Sequence, residues 1–233
     1  MATDRPYRIL AVDGGGIRGI IPALLLAEIE RAAKRPVAEL FDLIAGTSTG
    51  ALITLGLTVG DRQPDWSAAD IAELYANEGP DIFTRSQART LATSAFQRPH
   101  DEQPFVDLLY DYFATYRLSG ALTEVLVPTY DLHARAPFFF SSRAARSDEQ
   151  SDYLVADVAR AASAAPTYFR PAEGCAGLGR KTEHARAHRR RRLREQPLRS
   201  APWWKPAPSS QLGSCSSCRL EPETRERHST PRR

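Results

Sequence analysis

The feature that most constrains this chain is the stretch 41–58, which reads FDLIAGTSTGALITLGLT. An apolar run enters the tight sequence GTSTG (46–50), and a second apolar run leaves it. This order predicts a buried strand, a sharp turn and a buried helix, with the hydroxyl of Ser48 at the tip. Gly46 and Gly50 flank the serine because a strained turn brings backbone atoms too close together for larger side chains. The helix that starts after Ser48 favours an anion beside the serine.

A glycine-rich loop comes earlier in the chain and also follows a predicted strand. Residues 7–12 form a short apolar run, DGGGIRG (13–19) follows, and residues 20–34 place apolar side chains on one helical face. The order strand, loop, helix, strand, turn, helix predicts an α/β fold with a parallel sheet. The later sequence predicts a surface loop at 80–102, helices at 104–116 and 153–164, and strands at 124–131 and 137–141.

The glycine loop has two possible uses. Its spacing Gly14-x-Gly16-x-x-Gly19 matches the fingerprint of a dinucleotide-binding loop, but that use needs an acidic residue at the end of the second strand. The second strand ends near Ala45 without an acid, which disfavours a nucleotide, and no GxxxxGK[ST] motif is present. The other use is an oxyanion hole, in which unpaired N–H groups stabilise negative charge during ester hydrolysis. Loops after neighbouring parallel strands emerge at one edge of the sheet, so this loop and Ser48 are predicted to face one pocket.

Three blocks in this order, DGGGIRG, GTSTG and AASAAPTYF (161–169), resemble the patatin-like phospholipases, the PNPLA domain family. The resemblance covers about residues 7–172. It implies a three-layer α/β/α sandwich with a mainly parallel sheet, incomplete at the C-terminus. It also implies a lipid acyl hydrolase of the phospholipase A or esterase type, active in lipid degradation through a Ser-Asp dyad without metal or cofactor. By this resemblance Ser48 is the nucleophile. The implied oxyanion hole consists of Gly14, Gly15, Gly16 and Arg18.

The aspartate that the resemblance implies as general base is missing. In the family it stands in an Asp-Gly-Gly or Asp-Gly-Ala motif after the third block, and no aspartate follows Asp157 in this chain. Asp131, at the end of a predicted strand, is a weak candidate for the role, and Asp157 and the histidines of the C-terminal segment are others. The alternative for Asp131 is a carboxylate that caps a turn. A catalytically dead or decayed relative is therefore the alternative to a working hydrolase.

The composition changes near residue 173. Residues 1–173 hold 16 Lys and Arg against 23 Asp and Glu, whereas residues 174–233 hold 15 against 5. The second segment is rich in Arg, Pro and Ser without hydrophobic periodicity, which predicts a basic, disordered tail. The expected organisation is an incomplete patatin-like acyl hydrolase domain at 1–173 followed by this tail at 174–233. A shifted reading frame, or other non-homologous sequence from about residue 174, would explain the abrupt change.

The tail also raises a binding function of another class. His188 to Arg192 and the Trp203-Trp204 pair would suit nucleic acid or an anionic membrane, but such charge runs are usually solvated, so no nucleic acid is expected. Cys215 and Cys218 lack a second ligand pair, and no metal site is predicted. The chain has no apolar run of the roughly 18 residues that span a bilayer and no apolar N-terminal leader. We therefore expect a cytoplasmic protein that acts on a lipid or acyl ester, with the acyl group, head group and oligomeric state left open.

Overall fold

The structure is a computed structural model that describes the greater part of the chain up to residue 175 and one later strand. The described ranges are 5–79, 103–113, 115–132, 134–165, 169, 171–175 and 190–195. The surface loop predicted at 80–102 lies outside these ranges, and so does most of the predicted tail.

The described residues form one mixed sheet of six strands. These are β1 (Ile9–Val12), β2 (Leu43–Gly46), β3 (Glu124–Asp131), β4 (Ala136–Ser141), β5 (Ala172–Cys175) and β6 (Arg190–Glu195). The α-helices in the described ranges are α1 (Ile20–Ala33), α2 (Val37–Leu40), α3 (Thr49–Gly56), α4 (Ala68–Asn77), α5 (Gln103–Phe113), α6 (Ser142–Ser147) and α7 (Val155–Ala162).

Three parallel strands form the centre of the sheet. β1 pairs with β2, and β2 pairs with the first part of β3, in parallel register. β4 pairs antiparallel with β3. The edge of β3 that pairs with β2 at residues 124–126 pairs with β6 at Thr129–Asp131, and the second pairing is antiparallel. β5 pairs antiparallel with β6. The α/β fold with a parallel centre that the sequence predicts is confirmed.

Helix α3 lies against β2 at the middle of the core. Seven of its eight residues are buried, which is typical of a helix covered on all sides. One group of buried side chains joins α3 to α1, α4 and the first two strands, and includes Val12, Leu26, Ile44, Ile53 and Ile71. The other joins α3 to α5, α7 and the later strands, and includes Leu55, Phe105, Val125, Phe140 and Val158. This packing on both sides fixes the start of α3, where Ser48 lies.

Strand β6 lies within the predicted tail, most of which is outside the described residues, so the expectation of a disordered tail stays a prediction. Arg190–Glu195 is paired with both β3 and β5, although it belongs to the segment 174–233 for which the sequence predicts no order. Strand pairing uses backbone N–H and C=O groups, which a basic segment supplies as well as an apolar one. Hydrophobic periodicity therefore gives no signal for such a strand.

None of the helices in the described ranges is both long and apolar enough to cross a bilayer.

Candidate active site

Ser48 occupies a strained turn between β2 and α3. Its backbone has φ 50° and ψ −122°, a conformation that residues other than glycine rarely adopt and that costs of order 1–3 kcal/mol. The side chain is only partly buried, and its Oγ has no hydrogen-bond partner among the described residues. The turn thus places a hydroxyl without a hydrogen-bond partner among the described residues at the carboxyl-terminal end of the parallel strands.

The two glycines of this turn allow backbone contacts that a side chain would block. A Cβ on Gly46 would lie 2.2 Å from the carbonyl oxygen of Gly50. A Cβ on Gly50 would lie 2.0 Å from the carbonyl oxygen of Val12, the last residue of β1. Both distances are far below van der Waals contact, so neither position accepts a side chain without movement of the backbone.

The glycine loop lies directly against Ser48. A Cβ on Gly14 would be 2.7 Å from the Cβ of Ser48 and 3.5 Å from its Oγ. The threonines on either side of the serine hold the loop there: Thr47 Oγ1 accepts from the N–H of Gly14 at 3.1 Å, and Thr49 Oγ1 donates to the carbonyl oxygen of Gly16 at 3.0 Å. The structure therefore brings together the serine and the loop that the sequence predicts to share a pocket.

Not all of the loop N–H groups are free to bind a ligand. The N–H of Gly14 is occupied by Thr47, whereas those of Gly15 and Gly16 donate to no acceptor among the described residues. The backbone N–H and the Nε of Arg18 both donate to the carbonyl oxygen of Gly15, at 3.3 and 3.4 Å. Arg18 thereby fixes the Gly15 peptide. Two unpaired N–H groups on a loop beside a hydroxyl form an arrangement that can bind an oxyanion.

Asp131 is placed quite differently. It ends β3, is 3% exposed, and its Oδ1 accepts from the backbone N–H of Ala134 at 3.0 Å. Its register partners are Ala136 on one edge of β3 and Leu193 on the other. The carboxylate closes the turn between β3 and β4, which is the alternative role that the sequence offers for it.

Asp157 lies on α7 and forms a hydrogen bond with the neighbouring helix. Its carboxylate accepts from the hydroxyl of Tyr110 on α5 at 2.6 Å. Burial raises the pKa of Asp157, and the hydrogen bond from Tyr110 opposes this shift. The contact joins two helices of the core, so it accounts for Asp157 without a role in catalysis.

The cavities in the described part of the molecule include two of about 450 Å³ each. One is a groove between β1 and α1 that begins at the glycine loop, with Gly14, Gly15 and Arg18 in its wall. The other lies between α4 and α5, around Trp66 and Phe105, and none of the predicted site residues lines it. Within the described ranges no three His, Cys, Asp or Glu side chains converge as metal ligands.

Comparison with known proteins identifies the family. Residues 10–177 match the model of the patatin family, described as patatin-like phospholipase. Patatin-like protein 2 of Arabidopsis thaliana is 36% identical over 174 residues, which are 69% of this chain and 43% of that protein. Patatin-like protein 1 of Oryza sativa subsp. indica is 37% identical over 178 residues, 72% of this chain and 43% of that protein. The chain belongs to the patatin-like phospholipase family, as the three sequence blocks indicate.

The extent of these matches is partial. The chain spans less than half the length of both curated relatives. Among solved structures, VipD from Legionella pneumophila aligns with 83% of this chain and 46% of its own, at 14% identity and a TM-score of 0.43. A likeness at that level carries no argument about the site. The family match ends at residue 177, close to the point where the composition changes.

Sequence reasoning missed the role of Thr47 and Thr49. Both stand inside the GTSTG motif, so their position beside the serine is visible in the sequence. Their hydrogen-bond partners, Gly14 and Gly16, lie 33 positions earlier in the chain. These pairs can be identified only once the register of β1 against β2, which pairs Val12 with Gly46, is known. The signal in the sequence is the threonine on each side of the serine, since each hydroxyl can form a hydrogen bond with a neighbouring loop.

Proposed function

We propose that this chain is a lipid acyl hydrolase in which Ser48 is the nucleophile and the glycine loop stabilises the oxyanion. Membership of the patatin-like phospholipases supports lipid hydrolysis in general. The observation that carries the specific assignment is the contact of the loop with the serine, where the Cβ position of Gly14 lies 3.5 Å from Ser48 Oγ. The proposed substrate is a phospholipid or another acyl ester at a membrane surface, and the expected location is the cytoplasm.

In this mechanism Ser48 Oγ attacks the carbonyl carbon of the ester. The carbonyl electron pair moves to the oxygen, and the resulting negative charge is stabilised by the N–H groups of Gly15 and Gly16. The carbon–oxygen bond to the alcohol then breaks, the alcohol leaves with the proton that Ser48 gave up, and the acyl group stays on the serine. Water attacks this acyl-enzyme and releases the fatty acid. Loss of one oxyanion donor typically costs about 2.7–4 kcal/mol of barrier.

The proton of Ser48 needs an acceptor, and this chain offers a poor one. Asp131 is already engaged with Ala134, and no aspartate follows Asp157. In serine proteases without their triad, the oxyanion hole and binding alone leave a residual rate of about 10³–10⁴ over water. The missing motif therefore favours a second candidate, a decayed relative that keeps the nucleophile site but hydrolyses esters only slowly.

Hydrolysis of a short-chain nitrophenyl ester and of phospholipid vesicles tests the proposal. We expect a low rate that falls to the buffer background in Ser48→Ala. Ser147→Ala is a suitable control because Ser147 is exposed and its hydroxyl donates only to the carbonyl oxygen of Arg143 on its own helix. Equal rates in Ser48→Ala and in the unaltered chain would defeat the assignment of the nucleophile.

The gene sequence around codon 173 tests why the base is missing. If the tail arises from a shifted frame, one alternative frame past this codon encodes a strand followed by Asp-Gly-Gly or Asp-Gly-Ala. Absence of such a segment from both alternative frames would refute the shifted frame, and the tail would then have another origin.

A further inference from the structure

The cavity between α4 and α5 lies apart from the candidate active site. Helix α3 contributes Leu52 and Gly56 to its wall, whereas neither Ser48 nor any residue of the glycine loop lines it. Its volume of about 450 Å³ falls within the range of roughly 300–1,000 Å³ that is typical of small-molecule sites. The hydrolysis proposed above makes no use of this cavity.

The walls of the cavity are mainly apolar. Side chains from both helices form them, including Ile71, Leu74, Leu108 and Leu109. Trp66 and Tyr112 complete the lining with two aromatic rings, whose centroids lie 5.7 Å apart. Both of these side chains are only partly buried. Such a lining suits a compact apolar or aromatic ligand, and its rings can also attract a cation.

The polar part of the lining is acidic. Four carboxylates contribute to it, and the described lining contains no Lys, Arg or His: Asp65, Asp70, Glu73 and Glu78. Asp65 and Asp70 each accept a hydrogen bond from a hydroxyl group of the chain. Glu73 and Glu78 are exposed and have no partner among the described residues. These charges attract a cation into the cavity and repel an anion.

We propose that this cavity binds a cationic amphiphile, that is, a compact apolar or aromatic body that carries one protonated amine. The apolar body fills the space between α4 and α5, and the ammonium group lies toward Glu73 and Glu78. The same carboxylates disfavour the carboxylate of a fatty acid and the phosphate of a phospholipid. The inference therefore goes beyond the proposed function and does not depend on it.

Three probes with the same apolar body and different charges give the test. At neutral pH, 4-phenylbutylamine carries +1, 4-phenylbutanol is uncharged and 4-phenylbutyrate carries −1. The protein is the full chain with Trp203→Phe and Trp204→Phe, which leaves Trp66 as its only tryptophan and makes its fluorescence a reporter for the cavity. We expect the amine to change this fluorescence saturably and to bind about fivefold or more tightly than the alcohol. The butyrate should bind more weakly than the alcohol, and high salt should reduce both differences.

Substitution of the two glutamates identifies the source of the preference. Glu73→Gln combined with Glu78→Gln should remove the preference for the amine and leave the affinity for the alcohol unchanged. Both side chains are exposed, so the core is not disturbed. Glu149→Gln is the matched control, because Glu149 is also exposed but does not line the cavity, and it should change neither affinity.

Three results would overturn the proposal. If no probe alters the fluorescence of Trp66, the cavity is not a ligand site, and the chain itself fills or closes it. Equal affinity for the three probes would reject a cationic ligand. A preference for the amine that survives the double glutamine substitution would reject the placement of the ammonium group at Glu73 and Glu78.

Discussion

The ends of β2 and β3 invite comparison, because these strands are parallel neighbours and each leads to a residue that could serve in ester hydrolysis. After β2, Ser48 has a strained backbone and a hydroxyl without a partner in the described residues. At the end of β3, Asp131 is buried, paired through the strand on both edges and bonded to Ala134. Strain with an unengaged group is typical of functional positions, whereas a satisfied buried carboxylate is typical of structural ones. The position of Ser48 therefore has the features of a functional site, whereas the end of β3 has those of a structural turn.

The largest expected effect comes from blocking the approach of β1 to the GTSTG turn (46–50). Gly50→Ala places a Cβ 2.0 Å from the carbonyl oxygen of Val12, and the backbone must move to relieve the clash. We expect a loss of about 3 kcal/mol or more in the free energy of unfolding, at the upper end of overpacking effects. Urea unfolding measures this loss.

Gly120→Ala is the matched control for this substitution. A Cβ on Gly120 has no atom within 4 Å, so its effect should stay within about 0.5 kcal/mol. If the two variants unfold at the same urea concentration, the tight contact between β1 and the GTSTG turn is not a source of stability.

A smaller effect is expected from releasing the glycine loop. Thr47→Val keeps the shape of the side chain but removes the acceptor for the N–H of Gly14. The unfolding free energy should fall by about 1–2 kcal/mol, and Ser48 should react more slowly because the loop no longer holds its position. Thr47→Ser restores the hydroxyl and should recover both properties. Recovery of neither property by Thr47→Ser would assign the effect to packing of the methyl group.

For the end of β3 the comparison predicts a structural effect without a catalytic one. Asp131→Asn keeps an oxygen that accepts from Ala134, so the rate of any hydrolysis dependent on Ser48 should remain nearly unchanged. Asp131→Ala removes the acceptor and should cost about 1–2 kcal/mol of unfolding free energy. Loss of hydrolysis in a stably folded Asp131→Asn variant would make Asp131 the general base.

The sequence predicts the parts of this site that depend on local pattern. The strand, tight turn and helix around Ser48 follow from apolar runs and two glycines, and the structure has β2 and α3 at these positions. The helix predicted at 20–34 is α1, which ends one residue earlier at Ala33. These elements are specified by neighbours in the chain, so pattern alone identifies them.

Other parts of the site depend on pairs of residues far apart in the chain. The bond from Gly14 to Thr47 requires the register of β1 against β2. The role of Asp131 depends on the backbone of Ala134 within a turn whose shape the sequence does not specify. Strand β6 has no apolar alternation to predict it, since its order comes from backbone pairing with β3 and β5.

The smallest effect concerns Asp157, which is half-buried on α7. Burial raises its pKa above the ordinary 3.8, so the folded state favours the protonated carboxyl. At a pH below the ordinary pKa of an aspartate, Asp157 is protonated in both the folded and the unfolded state, and the stability gained from the raised pKa is fully present. It is lost as the pH rises through the raised folded pKa, because the charged carboxylate must then stay buried.

Asp157→Asn removes this dependence while its side-chain oxygen still accepts from Tyr110. The variant should therefore melt at a higher temperature than the unaltered chain at neutral pH, with the difference shrinking toward acidic pH. Circular dichroism melts from about pH 4 to pH 8 measure the difference. A gain that grows toward acidic pH would contradict the sign of the shift.

The central claim is that the nucleophile site is assembled without a working base, and labelling of Ser48 by a fluorophosphonate across a pH series tests it most directly. The account predicts a single adduct on Ser48, identified by mass spectrometry and absent from Ser48→Ala. Its rate should be slow and should rise in proportion to hydroxide, because no side chain among the described residues accepts the serine proton. An adduct on another residue would contradict the assignment of Ser48. A rate that reaches a plateau at neutral pH, and loses that plateau in Asp131→Asn, would show that the chain does contain its base.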